Sequence, residues 1–175
     1  MNETLKVLTT RRSIRKFKTD EVPQELLAQI VEAGMYAPTG KGAQSPIIIA
    51  ATNKQLRDEI ATENAKIGGW QEGFDPFYGA PVIFLVAADA NVGTAVYDGS
   101  CVIDNMLNAA WSLGLGSIWI HRAKEEIESD FGKRLLAKLG IDGNYIGVGH
   151  VAVGYIDGTS PEPKPRKNNW VYWVK

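Results

Sequence analysis

Between Asp98 and Leu113 the chain carries only two charges, Asp98 and Asp104. Val102, Ile103, Met106, Leu107, Ala109, Ala110, Trp111 and Leu113 leave a helix over this stretch almost no polar face. Such a segment predicts a helix buried on every side. One small domain has difficulty covering a helix all round, so one side of it is expected to meet a second subunit. With 175 residues, 45% of them apolar, the chain is long enough for one core built around this helix. No linker divides it, and residues 1–175 read as a single domain.

The flanking pattern supplies the other layers. Leu5, Val7 and Leu8 predict a short amphipathic helix ending near Thr10, and the basic stretch Arg11–Phe17 after it alternates as an extended segment. Pro23 suits the first turn of a helix whose apolar positions Leu26, Leu27, Ile30 and Val31 recur at helical spacing until Gly34. Ala37–Pro46 reads as a loop, and Ile47–Ala51 as a buried strand. Asn53 can cap a helix through Leu56 and Ile60. Pro81–Ala88 is apolar throughout, the mark of a central strand with both faces covered. A strand at Ser117–Ile120, an amphipathic helix at Lys124–Leu139 and a strand at Tyr145–Tyr155 follow. The tail is paced by Pro161, Pro163 and Pro165 and ends on the uncovered run Trp170–Val174. Helices and strands alternate without regular strand-helix-strand units, which predicts an α+β sandwich of a mixed sheet and helices.

Composition narrows the function classes. The 19 basic and 20 acidic residues give a net charge of −1, so no global field holds the chain on nucleic acid or an acidic membrane, and any bound anion must be held locally. No segment is long enough to span a bilayer, and the N-terminus lacks the apolar core of a signal peptide. The lone Cys101 cannot form an internal disulfide, which fits a reducing cytoplasm. His121 and His150 are two distant histidines, so no metal cluster or nucleophile triad is formed. A histidine at a strand end, as His121 is, is more often a satisfied structural side chain than a proton donor, and His150, within a strand, is more structural still.

Local anion binding has one candidate near the N-terminus. Arg11, Ser13 and Arg15 share a face of an extended chain, and two guanidinium groups with a hydroxyl can surround a phosphate. A solvated basic segment has the same spacing. Lys164, Arg166 and Lys167 form a second basic cluster, stiffened by proline, and would complete a site for a phosphate dianion only if the two segments converge.

Four segments, TRRSIRKF, APTGKGAQSP, NMLNAAWSLGLGSIWI and GYIDGTSPEPKPR, stand in an order and at distances that resemble the nitroreductase family of FMN enzymes, over nearly the whole chain. The resemblance implies a mostly antiparallel mixed sheet flanked by helices, with an extended C-terminal strand exchanged in a homodimer. It implies FMN held at the phosphate by Arg11, Ser13 and the backbone of Arg12, and at the pyrimidine edge by Arg15. Pro38, Thr39, Gly40 and Gln44 would reach the flavin bound mainly by the partner. Ser117, Ile118, Trp119 and Ile120 would lie beside the ring, and Lys164 and Arg166 would return to the phosphate. Gly42 stands where the family often has asparagine, and Gly68–Tyr78 has no clear match, which leaves acceptor choice open. The implied activity is a cytoplasmic NAD(P)H-dependent FMN oxidoreductase, with NADH or NADPH as donor and a nitroaromatic, quinone or similar small acceptor, working by ping-pong. No side chain is assigned as catalytic, because the flavin carries the chemistry. A flavin-binding sensor or carrier without turnover is the reading from another class. Reduction of activated alkenes or halogenated aromatics is the alternative within the scaffold.

Overall fold

The computed structural model describes residues 1–175. Four antiparallel strands form one sheet in the order β1-β2-β4-β3, with β1 at Pro46–Ala51, β2 at Val82–Asp89, β3 at Gly116–Ile120 and β4 at Tyr145–Gly154. As its composition predicts, β2 is central, and every residue from Val82 to Ala88 is buried. Its side chains alternate between faces. Val82, Phe84, Val86 and Ala88 join a core with α2 (Gln24–Met35) and α4 (Ala95–Ser112). Ile83, Leu85 and Ala87 face the opposite layer. That layer holds α3 (Lys54–Gly68), α5 (Ala123–Glu128) and α6 (Asp130–Lys138). The α+β sandwich is thus two helical layers on an antiparallel sheet, with no parallel pairing between its four strands.

The N-terminal segment closes one edge of the sheet. Asn2 caps α1 (Glu3–Thr10) by accepting from Leu5 N. Beyond α1 the chain runs extended, as expected, and Ser13 forms a parallel bridge with Ser117 of β3. Ile14 N donates to Ser117 O (3.0 Å), and Lys18 N to Tyr155 O (2.9 Å). Ile14 and Phe17 are buried in the layer beneath, each contributing roughly 2 kcal/mol by leaving water. One sheet edge is thereby covered, and β1 remains the open edge.

Two expectations are corrected. The predicted helix Lys124–Leu139 is two helices, broken at Ser129 (φ −73°, ψ 167°). Ser129 caps α6 through Gly132 N (3.3 Å) while its hydroxyl donates to Glu126 O. The turn is so tight that a Cβ on Gly132 would lie 2.1 Å from Glu126 O, a backbone constraint that apolar periodicity does not encode. The second correction concerns the bounds of α4, which starts at Ala95 rather than Asp98. Val96, Tyr97 and Asp104 are exposed on the side turned from the sheet. The tail is exposed from Gly158 onward and pairs with no strand of its own protomer.

The Gly68–Tyr78 loop is organised by one side chain. Arg57, nearly buried on α3, donates to Ala80 O (2.9 Å) and pairs with Asp75. Asp75 in turn accepts from Phe77 N (2.9 Å) and Gly79 N (2.8 Å).

Candidate functional site

The basic segment after α1 is fixed at both ends, and its arginines are sorted by that anchoring. Trp111 Nε1 of α4 donates to Thr10 Oγ1 (3.0 Å), tying the end of α1 to the central helix. Arg12 turns back on α1 and donates to Thr9 O (3.0 Å) and Arg11 O (2.7 Å), so its guanidinium is engaged in capping the helix. Arg11 is half-buried, and its Nη1 is enclosed with no hydrogen-bond partner. Burial pushes this guanidinium below its ordinary value; Asp104 opposes that shift and Arg12 adds to it. An enclosed cationic donor without an acceptor is costly, and an anion placed against it would remove the cost. Ser13 lies two residues on, half-buried beside Ser117. Arg15 is exposed with no ion pair, whereas Lys16 pairs with Asp157 at 2.7 Å.

The β3 residues divide by face. Ser117 is 0% exposed, and its hydroxyl donates to Leu107 O of α4 (3.2 Å). Ile118 is buried in the opposite layer. Any contact these two make with a ligand is therefore through backbone. Trp119 is 38% exposed, and its indole lies over Gly149 of β4, where a Cβ would come within 2.3 Å of Nε1. Ile120 is half-buried at the strand end.

The loop Pro38–Gln44 is held by a residue that sequence reasoning missed. Asp98, 4% exposed in the first turn of α4, accepts from Gly40 N (2.9 Å), Ser45 Oγ (2.9 Å) and Thr94 Oγ1 (3.0 Å). Burial opposes ionisation of this carboxyl, but the three hydrogen bonds outweigh it and hold Asp98 below the ordinary carboxylate range. Gly40 is required, because a Cβ there would lie 2.4 Å from Thr94 Oγ1. The clamp lets Lys41 (φ 56°) and Gln44 (φ 48°) sit in the left-handed region, with Gln44 N bonded to Thr39 Oγ1 (3.1 Å). The available signal was a lone carboxylate at the start of an otherwise apolar helix.

The structure brings Arg11, Arg12 and Ser13 to β3, but not to the loop. Asp98 holds the loop near one end of α4, and Leu107 meets Ser117 nine residues later, about 13 Å along the axis. Pro38 and Gln44 are exposed at the first of these points. Lys164 and Arg166 lie on the exposed tail and make no ion pair or hydrogen bond with the basic segment.

A helix-flanked antiparallel sheet whose edge strand carries a basic segment with an unsatisfied arginine defines a fold with close solved counterparts. A nitroreductase with bound FMN from Bacteroides fragilis superposes with a TM-score of 0.88 at 29% identity, covering 100% of each chain. The nitroreductase family model matches residues 8–155, and the chain belongs to that family. It is 34% identical over 121 residues to a Methanothermobacter thermautotrophicus protein whose name pairs NADH dehydrogenase with NAD(P)H nitroreductase, covering 67% of this chain. It is 31% identical over 140 residues to a Bacillus subtilis FMN reductase using NAD(P)H, again covering 67% of this chain. The matches span 60% and 53% of those two relatives. Lys164 and Arg166 fall beyond the residues the family model matches.

Proposed function

We propose that this protein is an FMN-dependent oxidoreductase that accepts hydride from NADH or NADPH and delivers it to a small nitroaromatic, quinone or similar acceptor. The observation that carries this reading is the enclosed, unpartnered Arg11 Nη1, two residues before Ser13, which bridges to the edge strand β3. Those residues fit a flavin phosphate, whose oxygens accept charge-assisted bonds from guanidinium and hydroxyl groups. Arg11, Ser13 and the Arg12 backbone bind that end, with Lys164 and Arg166 added when the tail folds back. Arg15, free of any ion pair, keeps a positive charge at the pyrimidine edge. Trp119 and Ile120 bound the ring from β3, and the partner's copy of the Pro38–Gln44 loop bounds it from the other side.

Bound flavin supplies the hydride transfer itself. The chain's own groups orient the ring, leave one face open for donor and acceptor in turn, and screen it from bulk water. Protons come from solvent. Mixing the FMN-loaded protein with NADH or NADPH should bleach the flavin, and the acceptor should restore the colour. A flavin that stays oxidised in excess donor would make the protein a binder rather than an enzyme.

A homodimer is part of the same proposal. The open edge of β1 carries Ile47, Ile48 and Ile49, Tyr97 of α4 is 73% exposed, and Trp170–Val174 lies uncovered. An unpaired apolar edge and an uncovered apolar tail answer each other across two copies. Deleting residues after Lys167 should weaken the dimer and lower its melting temperature in a concentration-dependent way, read by light scattering and calorimetry. A full-length protein that stays monomeric while binding FMN would rule the exchange out.

The role of Arg15 has its own measurement. Arginine is charged at all working pH values, so Arg15→Met removes a fixed positive charge and keeps the length of the side chain. Reduction places negative charge at the pyrimidine edge, so the variant's two-electron midpoint should fall, by about 30 mV for each 1.4 kcal/mol lost. An unchanged midpoint with FMN still bound would assign Arg15 to solvent.

A further inference from the structure

The layer behind β3 holds three buried polar side chains that the proposed chemistry does not use. Glu126 of α5 and His150 of β4 are both 0% exposed, and Asn64 of α3 is 1% exposed. His150 Nε2 bonds to Glu126 Oε2 at 2.8 Å. Asn64 Nδ2 donates both to Glu126 Oε1 and to the carbonyl of His121 (2.9 Å). His150 Nδ1 faces Ile120 O at 3.4 Å, and its ring meets Phe77 edge-on at 5.2 Å. The side-chain polar contacts that leave the trio end on the carbonyls of Ile120 and His121, where β3 turns into α5.

That turn is strained. Arg122 sits in the left-handed region at φ 83°, which a residue with a side chain adopts only when its surroundings enforce it. Ala123 O beyond it packs so closely on β4 that a Cβ at Gly147 would lie 1.9 Å away. A carboxylate, an imidazole and an amide in an apolar layer are themselves less favourable than apolar side chains of equal volume. A network that is expensive, fully enclosed and directed at two consecutive carbonyls acts on the backbone carrying those carbonyls.

We propose that Asn64, Glu126 and His150 are positioning residues, which fix the β3–α5 turn and thereby the placement of Trp119 and Ile120 against the flavin. The flavin half of this statement rests on the function proposed above; the backbone half does not.

The test replaces all three groups by apolar side chains of similar size, Asn64→Leu/Glu126→Met/His150→Phe, and reads two quantities beside the melting temperature. These are amide hydrogen exchange at residues 120–126, which include the Glu126 N–H bonded to Arg122 O, without flavin, and the Kd for FMN by fluorescence quenching. The variant is expected to fold, with exchange at the turn at least about tenfold faster than wild type while the β2 and β4 amides stay protected. FMN should bind at least about tenfold more weakly, equivalent to about 1.4 kcal/mol. Glu126→Gln, which preserves shape and hydrogen bonding, should stay within about threefold of wild type in both readings. If the triple variant does not fold, Asn64→Ala carries the test, because it removes the bond to His121 O and leaves the Glu126–His150 pair in place. At least about threefold faster exchange is then expected at Glu126, whose N–H donates to Arg122 O (3.0 Å). Unchanged exchange at the turn in a folded variant, or an increase spread evenly over the sheet, overturns the proposal. A wild-type protein that binds no FMN overturns the flavin reading alone, since the exchange measurement still decides what the trio does to the turn.

Discussion

Protein carrying both Arg11→Ala and Arg166→Ala is expected to purify without flavin, whereas wild type should carry one FMN per protomer. Arg11 contributes an enclosed guanidinium nitrogen with no acceptor of its own, so its cost of burial is already met in the folded protein and an incoming phosphate meets an oriented donor. Arg166 starts from the opposite condition, exposed on the tail, and must be ordered as it binds. Hydrogen bonds to charged groups contribute roughly 1.5–3 kcal/mol each, so the pair should contribute roughly 3–6 kcal/mol. That is about two to four decades in Kd at 1.4 kcal/mol per decade. The larger share should belong to Arg11, and Arg11→Lys should recover only part of it, because an ammonium restores the charge without the planar fork. Titration of apoprotein with FMN reads both variants against wild type. Stoichiometric flavin retained by the double variant would overturn the phosphate assignment.

The parts of this molecule that were legible in its sequence are those written in side-chain periodicity. β2 could be placed at the centre because an unbroken apolar run fits only a strand covered on both faces, and α2 could be bounded because Pro23 and Gly34 punctuate a 3.6-residue repeat. Asn53 is recognisable as a cap from residue type alone, and it accepts from Leu56 N at 2.9 Å. The alternation of the basic segment marks it as extended, and its bridge to β3 follows from that, although nothing in its spacing names Ser117 as the partner. What failed to show was tertiary in origin. The break at Ser129 comes from the close approach of Gly132 to the preceding turn. The order of Gly68–Tyr78 comes from Arg57, a cation that looks solvated in a helical pattern until Asp75 and the Ala80 carbonyl are set around it. Asp98 looked like one of two residual charges on an apolar helix. Its partners lie 58 and 53 residues away at Gly40 and Ser45, and no local pattern connects them. The resemblance pointed to Thr39, Gly40 and Gln44 as site residues, and the fold explains how such a loop can be rigid without regular structure.

Asp98 is accordingly the residue whose loss should most disturb the protein outside the basic segment. Asp98→Ala strips the acceptor from Gly40 N, Ser45 Oγ and Thr94 Oγ1 at once. Hydroxyls can turn to other acceptors, but an enclosed backbone N–H cannot, so the loss should be about 3–4 kcal/mol rather than the full sum of three charged hydrogen bonds. For a domain of this size that is a fall in melting temperature of about 10 °C. Asp98→Asn keeps an oxygen for Gly40 N and an amide that the two hydroxyls can face with their lone pairs, and should cost about 1–2 kcal/mol. The pH dependence separates charge from shape. Asp98 is held below its ordinary value in the folded state, so its ionic contribution is fully present above the unfolded carboxylate value of about 3.9 and is lost as pH falls from there through the lowered folded value. The gap between wild type and Asp98→Asn should therefore be constant from neutral pH down to about pH 5 and should close only in stronger acid. Limited proteolysis should show the same order, with the Pro38–Gln44 loop cut fastest in Asp98→Ala. Equal stability of wild type and Asp98→Ala at neutral pH would show that the loop does not depend on this carboxylate. A gap that closes already above pH 5 would show that some other group carries the acid sensitivity.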